Sequence, residues 1–414
     1  MLDALPLVFV LAGAALYTVL AGADFGAGFW QLFAGRGPHA ERIREHAHHS
    51  MAPVWEANHV WLIFVLTVFW TAYPRAFGSV ASTLAVPLFI AALGIIFRGA
   101  AYALRSGASG PRESSVIDTI FSVSSILTPF ALGAVVGGIA TDRVPVGNAA
   151  GHLFSSWLNP TSVFIGVLAV SNSAYLAAVY LAADAARLDE PALERQFRLR
   201  ALGAGVIAGA IALAGIAVVH HDYPKLFHSL LAGDALGGVA VSIAAGATAL
   251  GLVYAHRLEA ARYAAALAVA AIIAGWALAR WPAILPGLSV DQAAAGHDTL
   301  VWVLVVVLGG GAILLPSLGL LFRLHLAGRF RSAEIGTAEI AGATLRTHEG
   351  RLLVRVAVAC LIAGIGLLNV ADAPPAHAVG ILCLFGFIAS AFLATVFAAL
   401  DDEEAPARRA GSSR

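Results

Sequence analysis

The sequence predicts an all-α polytopic membrane protein with about eleven transmembrane helices. Hydrophobic residues make up 59% of the 414 residues, and charged residues make up only 12%. A soluble domain has about 25% charged residues. Apolar runs of about 20 residues, which are long enough to cross a bilayer as helices, recur along the whole chain. Because the formal net charge is zero, the composition gives no reason to expect a nucleic-acid partner.

The positions of the arginines predict how the helices are oriented. Most arginines lie in loops that follow odd-numbered spans and in the C-terminal tail. Since positively charged loops stay in the cytoplasm, we predict an N-terminus outside and a C-terminus in the cytoplasm. The predicted spans are 5–33, 50–73, 77–104, 114–140, 158–185, 200–220, 232–255, 261–280, 298–322, 352–371 and 376–400.

We predict four parts along the chain. Residues 1–140 form a first four-helix bundle with a buried polar cluster, and 141–325 form a second bundle with a peripheral span. Residues 326–400 add two C-terminal spans, and 401–414 form a polar, disordered tail. Small residues that let helix backbones approach closely are Gly22, Gly26 and Gly28 in the first span, Gly133 and Gly137 in the fourth, and Gly309 to Gly311 in the ninth.

Polar residues at membrane depth concentrate in the first four spans. At a rise of ~1.5 Å per residue, Asp24, Glu56, Arg98 and Asp118 all fall within roughly 6–14 Å of the predicted cytoplasmic face. Ionisable groups inside a membrane are costly and usually have a function. We therefore predict that these side chains form a single buried cluster, in which the arginine neutralises one acid and leaves another to titrate.

His59 lies on the same helix face as Glu56, and its unperturbed pKa of about 6.5 would let it titrate as well. The cluster has two interpretations. It is either an ion-pair network that only holds the bundle together, or a proton or ion route that opens to the cytoplasm. The sequence favours the route, while His59 itself is equally well explained as a hydrogen-bonded core histidine.

Other residues give weaker signals. Trp55, Trp61 and Trp70 would either stack on a flat ligand such as a quinone or anchor helices at the interfaces. The two cysteines have no metal-binding or disulfide spacing, and we predict no metal site. We expect an exposed interfacial loop for the histidines that precede the second span, which are His39, His46, His48 and His49.

Several motifs in the first 185 residues resemble those of subunit II of the cytochrome bd-type quinol oxidases. Each motif alone is weak, but their order and spacing together are specific. They are A-D-F-G-A-G-F at Ala23–Phe29, M-A-P-V-W-E-A-N-H-V-W-L at Met51–Leu62, A-Y-P-R-A-F at Ala72–Phe77, F-R-G-A-A-Y at Phe97–Tyr102, D-x-x-F with T-P-F-x-L-G at Asp118–Gly133, L-N-P at Leu158–Pro160 and A-Y-L at Ala174–Leu176.

The resemblance implies a two-subunit oxidase of the bacterial cytoplasmic membrane that oxidises quinol and reduces oxygen to water. Subunit I would carry haems b and d. This chain would be the haem-free partner, with no catalytic residue of its own, in contact with membrane lipid. It would stabilise subunit I, contribute a cytoplasmic proton path and hold a quinone near Trp55, Glu56 and Trp61. The family's polar positions fall on Asp24, Glu56, Arg98 and Asp118.

The chain also departs from the family pattern. Ala21 and Ala103 stand where the family usually has acids, so a route that needs those carboxylates would be interrupted or rerouted through water. The family commonly ends after nine spans, whereas this chain adds two after Thr347. Two alternatives therefore stay open: a stand-alone proton-coupled transporter that uses the same acids, and a scaffold subunit whose acids are purely structural.

Overall fold

A computed structural model describes residues 2–35, 37–105, 110–326, 348–370, 375–391 and 393. Within its helices, the side chains of 38–39, 48–57, 111, 315, 318, 321–326, 348–351 and 369–370 are outside the description. The chain divides into two compact units, Met1–Gly310 and Gly311–Arg414. The predicted tail at 401–414 lies outside the described residues, and the predicted boundaries at 140 and 325 stay predictions.

The described elements are almost all helices. The first are α1 (Leu5–Leu32), α2 (Pro38–Ala72), α3 (Pro74–Thr83), α4 (Ala85–Arg105), α5 (Pro111–Ala140), α6 (Pro160–Arg187), α7 (Pro191–Asp222) and α8 (Pro224–Leu230). They are followed by α9 (Gly233–Tyr254), α10 (Leu258–Arg280), β1 (Ala283–Leu285), β2 (Leu288–Ser289), α11 (Val290–Ala293) and α12 (His297–Leu326). Two further helices cover His348–Val370 and Pro375–Ala391.

The all-α membrane architecture is confirmed. Among the described residues, eight helices are long and apolar enough to cross a membrane. Three shorter apolar stretches of helix, Asn58–Ala72 within α2, Leu352–Leu368 and Pro375–Ala391, lie where three of the other predicted spans fall. The count of eleven spans and the orientation of the termini stay predictions.

Proline marks where most of these helices begin. Seven helices (α1, α2, α3 and α5 to α8) carry proline in the first or second position of their first turn. The first backbone N–H groups of a helix have no partner within it, so the N–H that proline lacks is not missed there. At α6 the side chain of Asn159 also accepts a hydrogen bond from the backbone N–H of Ser162 at 2.9 Å.

Two predicted boundaries are wrong. The third predicted span, 77–104, is broken at Leu84 into the short helix α3 and the longer helix α4. The second predicted span, 50–73, belongs to a helix that begins twelve residues earlier, at Pro38. Apolar residues alone set the predicted start, whereas the helix begins in a polar, histidine-rich segment that precedes the apolar run.

Close backbone contacts place α6 at the centre of the first unit. A Cβ added to Gly26 of α1 would lie 1.9 Å from the carbonyl oxygen of Ser173. A Cβ on Gly137 of α5 would lie 2.4 Å from the Cα of Ser162. Both distances are far too short, so only glycine lets α1 and α5 pack this tightly on α6. Among the described residues nothing lies within 4 Å of a Cβ on Gly309 or Gly310, so the close packing predicted there stays a prediction.

The second bundle consists of α6, α7, α9 and α10, and its core continues into α1. Alanines that are almost fully buried, such as Ala177, Ala178 and Ala182, make up much of what α6 contributes to this core. Trp30 of α1 donates from its indole N–H to the carbonyl of Ala174 at 2.8 Å. The two bundles therefore share one continuous packed interior, with α6 common to both.

Tyr73 joins several segments at the end of the first bundle where α2 stops. Its hydroxyl donates to the carbonyl of Asp3 at 2.6 Å and accepts from the backbone N–H of Leu7 at 3.0 Å. The residue is fully buried beside Leu285 of the β1–β2 hairpin. The N-terminal segment, the end of α2 and the hairpin therefore meet around one phenol ring.

A charged cluster lies at the same end of the second bundle. Asp142, in the turn after α5, accepts hydrogen bonds from Tyr223 and from Lys225, the latter at 3.0 Å. It also forms an ion pair with Arg280 at 2.8 Å. Burial raises the pKa of the Asp142 carboxyl, but these two hydrogen bonds and the charge of Arg280 outweigh it, so the pKa lies below its ordinary value.

The second unit contains a close helix pair. The helices His348–Val370 and Pro375–Ala391 contact each other at Gly364 and Gly380. A Cβ on Gly364 would lie 2.8 Å from a side-chain atom of Leu384. Small residues therefore permit close packing in this unit as well.

Replacing Tyr73 with Phe tests the junction around the phenol. We expect Tyr73→Phe to lower the free energy of unfolding by about 1–3 kcal/mol, because two hydrogen bonds are lost in a buried site. The measurement is thermal denaturation of the purified protein. Tyr175→Phe is the matched control, because the Tyr175 hydroxyl is buried without a hydrogen-bond partner among the described residues. An equal change in melting temperature in both variants would contradict a stabilising role for the two hydrogen bonds of the Tyr73 hydroxyl.

The Asp142 cluster predicts a pH dependence of stability. A carboxyl whose folded-state pKa is lowered stabilises the protein above its unfolded pKa, and this contribution is lost as the pH falls through the folded pKa. We expect the difference in melting temperature between the native protein and Asp142→Asn to stay constant above about pH 5 and to shrink as the pH falls below about 4, where unfolded aspartate begins to be protonated. Asp298→Asn, at a fully exposed side chain, serves as the control. If this difference in melting temperature does not shrink at acid pH, the Asp142 carboxylate does not stabilise the protein through these contacts.

Candidate functional site: a buried ion pair beside an acidic pocket

The first bundle buries an ion pair between Arg98 of α4 and Asp24 of α1. Both side chains are only 1% exposed. One guanidinium nitrogen donates to the Asp24 carboxylate and, at 3.1 Å, to the Asp24 carbonyl oxygen. The other terminal nitrogen donates to the Ser125 hydroxyl at 2.7 Å. Three helices are therefore joined around one guanidinium.

Aromatic rings complete the surroundings of Arg98. The guanidinium carbon lies 4.2 Å from the centre of the Phe121 ring and 5.1 Å from that of Phe25. A cation is attracted to the face of an aromatic ring, most strongly where water is excluded. These contacts offset part of the cost of removing the charge from water, while the carboxylate of Asp24 neutralises it.

The second helix contributes Asn58, which is fully buried. Its amide nitrogen donates to the second carboxylate oxygen of Asp24 at 3.0 Å. His59 follows it, with its ring centre 6.4 Å from the rings of both Tyr17 and Phe25. Consequently α2 places an amide on the ion pair and an imidazole next to it.

A polar pocket lies at the end of the bundle where α1 and α4 end and α2 and α5 begin. Its lining includes three carboxylates and two guanidinium groups. Arg105 forms an ion pair with Asp118 at 2.7 Å and approaches Glu41 at 3.7 Å. The lining residues are Gln31, Glu41, Arg44, Glu45, Ala101, Tyr102, Arg105, Ile117, Asp118 and Phe121.

The ion pair and the pocket belong to one layered arrangement. The deep layer is Asp24, Arg98 and Ser125, and the outer layer, two helical turns away, is Gln31, Arg105 and Asp118. The middle layer is Gly28, Ala101 and Phe121. Within each helix the layers follow i, i+3/i+4, i+7 spacing, which places the residues on one face. Phe121 therefore lines the pocket on one side and contacts Arg98 on the other.

A sequence profile described as cytochrome bd terminal oxidase subunit II matches residues 2–325 of the chain. The chain belongs to this family. It is a multi-pass protein of the bacterial inner membrane. The two further helices, His348–Val370 and Pro375–Ala391, lie beyond the part that matches the family.

Individual relatives agree with the family assignment over part of their length. The chain is 30% identical over 116 residues to cytochrome bd ubiquinol oxidase subunit 2 of Bacillus subtilis, covering 28% of this chain and 33% of that protein. It is 27% identical over 172 residues to cytochrome bd-I ubiquinol oxidase subunit 2 of Escherichia coli, covering 40% and 44%. These matches span a third to under half of the relatives' lengths.

A solved bd oxidase structure from Geobacillus thermodenitrificans has the same fold. The similarity has a TM-score of 0.63 at 22% sequence identity and covers 78% of this chain and 98% of the other. At this identity the comparison supports the fold alone. It does not transfer the role of any residue.

The sequence predicts one buried cluster of charged side chains, and the structure brings together only part of it. Asp24 and Arg98 meet as expected, but Asp118 pairs with Arg105 in the outer layer and is separated from Arg98 by Phe121. The physical reason is the helical rise. Asp118 precedes Ser125 by two turns of α5, which is about 10 Å along the axis. A depth estimate with an error of several residues does not separate these two layers.

Of the other predicted site residues, the structure describes the side chain of Trp61 but not those of Trp55 and Glu56. Trp61 is partly buried against a cluster formed by Tyr17, Ala21 and Phe25. Their predicted roles in a proton path and in quinone contact stay predictions.

Four residues of the site were missed from the sequence. Asn58 and Ser125 are uncharged, so the pattern of intramembrane charges does not indicate them. The predicted third span ends at 104 and leaves Arg105 in a loop, whereas Arg105 is the last residue of α4. Gly28 was noted only for close packing. The i, i+3/i+4, i+7 spacing that relates Asp24, Gly28 and Gln31 is visible in the sequence and would have indicated one face.

The exposed loop predicted for the histidines before the second span is wrong for His46. His46 lies in α2, is 7% exposed and makes a hydrogen-bond contact of 3.0 Å with the carbonyl oxygen of Leu181. It is therefore part of the interface between α2 and α6 and not part of an exposed loop. Among the residues that the structure describes, no group of three metal-ligating side chains is found.

Gly28 allows α5 to approach Arg98, and its replacement tests this packing. A Cβ there would lie 2.2 Å from the Ser125 hydroxyl oxygen and 2.5 Å from the Ser125 Cβ. Rotating the hydroxyl does not relieve the second contact, so the helices would have to separate. We expect Gly28→Ala to lower the free energy of unfolding by about 1–3 kcal/mol, as overpacking does.

Thermal denaturation of the purified protein measures this effect. Gly203→Ala in α7 is the control, because no atom of the described residues lies within 4 Å of a Cβ at that position. Equal stability of the two variants would show that Gly28 is not needed for the close approach.

Proposed function

We propose that this chain is the haem-free subunit II of a bd-type quinol oxidase. In this proposal it stabilises a haem-bearing subunit I, where quinol is oxidised and oxygen is reduced to water. It also leads protons from the predicted cytoplasmic side towards that subunit. Membership in the family supports the first part, and the layered site in the first bundle supports the second.

The observation that carries the proton route is the alignment of the acidic pocket with the deep ion pair. The pocket's three carboxylates outnumber its two guanidinium groups, so the pocket favours cations and protons at its surface. Its inner wall, Phe121, contacts Arg98 of the deep layer. Polar groups of the pocket and of the deep layer therefore lie on opposite sides of the Phe121 ring, on the faces of α1, α4 and α5 that meet there.

The deep layer suggests how the charges divide their roles. Arg98 neutralises Asp24, so this pair acts as a fixed, uncharged unit within the bundle. In the proposal, Glu56 is the acid that remains to gain and lose protons. It is two residues before Asn58 on α2, whose amide contacts Asp24. In this proposal Arg98 neutralises one carboxylate, Asp24, and leaves a second carboxylate, Glu56, to titrate.

The haems would be held by subunit I and would supply the oxygen chemistry. Quinone contact in this chain is proposed for Trp55, Glu56 and Trp61. The Trp61 ring is partly buried, packs against the cluster that contains Phe25 and meets the Phe64 ring edge-on at 6.0 Å between centres. It offers an aromatic surface of the kind that stacks on a flat ring.

Purification with the neighbouring subunit tests the oxidase assignment. We expect the chain to co-purify with a haem-bearing membrane protein and to show visible haem absorption. A colourless, single-chain preparation that moves protons with a solute would support the transporter alternative and contradict the proposal.

Glu56→Gln tests the proton route. We expect quinol oxidase turnover to fall by about 10²-fold or more, the scale lost with a positioned proton-transfer group, while the complex and its haem content stay intact. Glu190→Gln is the matched control, because Glu190 is an exposed acid paired with Arg42 at the surface. Unchanged turnover in Glu56→Gln would remove Glu56 from any essential route and favour a purely structural role for the acids.

A further inference from the structure

Tyr17 carries a buried hydroxyl that none of the contacts above explains. It lies on α1 two turns before Asp24 and is 7% exposed. Its hydroxyl oxygen has no hydrogen-bond partner among the described residues. Leaving a buried hydroxyl unpaired costs free energy, and in native proteins such groups are usually satisfied by protein or by ordered water.

Two further unpaired polar atoms belong to the deep layer. The amide of Asn58 is oriented by Asp24, because only its nitrogen can donate to a carboxylate. Its carbonyl oxygen therefore faces elsewhere and has no donor among the described residues. The Nε–H of Arg98 likewise has no acceptor there. One buried acceptor and one buried donor thus lie on residues that both bind Asp24.

His59 connects these atoms to Tyr17. It follows Asn58 directly, and its ring lies at 6.4 Å from the rings of both Tyr17 and Phe25. Those two residues belong to one buried cluster on α1 together with Ala21, which is 1% exposed. The imidazole therefore lies beside the part of α1 that carries Tyr17.

We propose that Tyr17, Asn58 and Arg98 bind one or more internal water molecules beside His59, and that Tyr17 is the residue that positions this water. The groups are complementary, because Arg98 donates, Asn58 accepts and the Tyr17 hydroxyl does either. Three such partners are what a buried water molecule typically has. Polar groups on three helices supply them, so the site is defined by the fold and not by one segment.

The water site extends the proton route, and in this respect it rests on the proposed function. A proton that adds to the water oxygen is matched by a proton that leaves the same water for the His59 imidazole. The water molecule is restored, and the charge has moved one step deeper than Asp24. Tyr17 stays neutral throughout and only orients the water.

The test compares two tyrosine variants of the purified oxidase complex. Tyr17→Phe removes the proposed water ligand and breaks no hydrogen bond within the described chain. Tyr175→Phe is the matched control, because that tyrosine is also 7% exposed with an unpartnered hydroxyl, but it lies in the core shared by α6 and α7.

We expect Tyr17→Phe to slow turnover several-fold and Tyr175→Phe to leave it unchanged. Infrared difference spectra supply a readout that a merely structural role would not move. An O–H stretching band that shifts in heavy-oxygen water should be present in the native complex and in Tyr175→Phe and absent in Tyr17→Phe. Equal turnover and identical water bands in both variants would overturn the proposal.

Two further results keep this proposal separate from the proton route itself. If Glu56→Gln slows turnover while Tyr17→Phe does not, the water site is wrong and the route stands. If neither slows turnover, the route fails as well. Should Tyr17→Phe fail to assemble, a high-resolution structure of the native complex decides the question. Water density within hydrogen-bond distance of the Tyr17 oxygen supports the site, and a protein atom in that place overturns it.

Discussion

A guanidinium that is withdrawn from water must be paired, and Arg98 imposes this requirement on the helices around it. It is almost completely buried, and removing one member of such a pair would leave an uncompensated charge. Asp24 and Ser125 accept hydrogen bonds from the guanidinium on two other helices, and Asn58 on a third holds the Asp24 carboxylate. Because each contact has a narrow geometry, the pair fixes the rotation and the axial position of α1, α2, α4 and α5 together.

This constraint also separates the site into regions with different electrostatic character. The deep layer is a neutralised pair, whereas the pocket at the outer layer is lined by more carboxylates than guanidinium groups. A neutral interior tolerates burial, whereas carboxylates at a partly exposed pocket keep contact with water. The structure therefore separates a buried, neutralised scaffold from an acidic pocket at the end of the bundle.

The sequence predicted the fold and the central contact but not the layering. Intramembrane charges are rare, so Asp24 and Arg98 stood out, and their similar depth was enough to bring them together. Asp118 has the same signal but lies two turns away from the pair, a distance that uncertain span ends do not resolve. The break at Leu84 and the early start of α2 escaped because hydropathy reports apolar length and not helix continuity. Uncharged partners such as Asn58 give no signal until the helices are placed.

The contact between Gly28 and Ser125 has a consequence for how this family can vary. The two positions share a volume that holds one small side chain and no more. The same is true of Gly94 and Thr128, where an added Cβ would lie 2.2 Å from the threonine hydroxyl. Across homologous chains, residue sizes at such paired positions should therefore covary, with a gain on one helix offset by a loss on its neighbour. Such covariation in an alignment would show that the distance between these helices is maintained in the family.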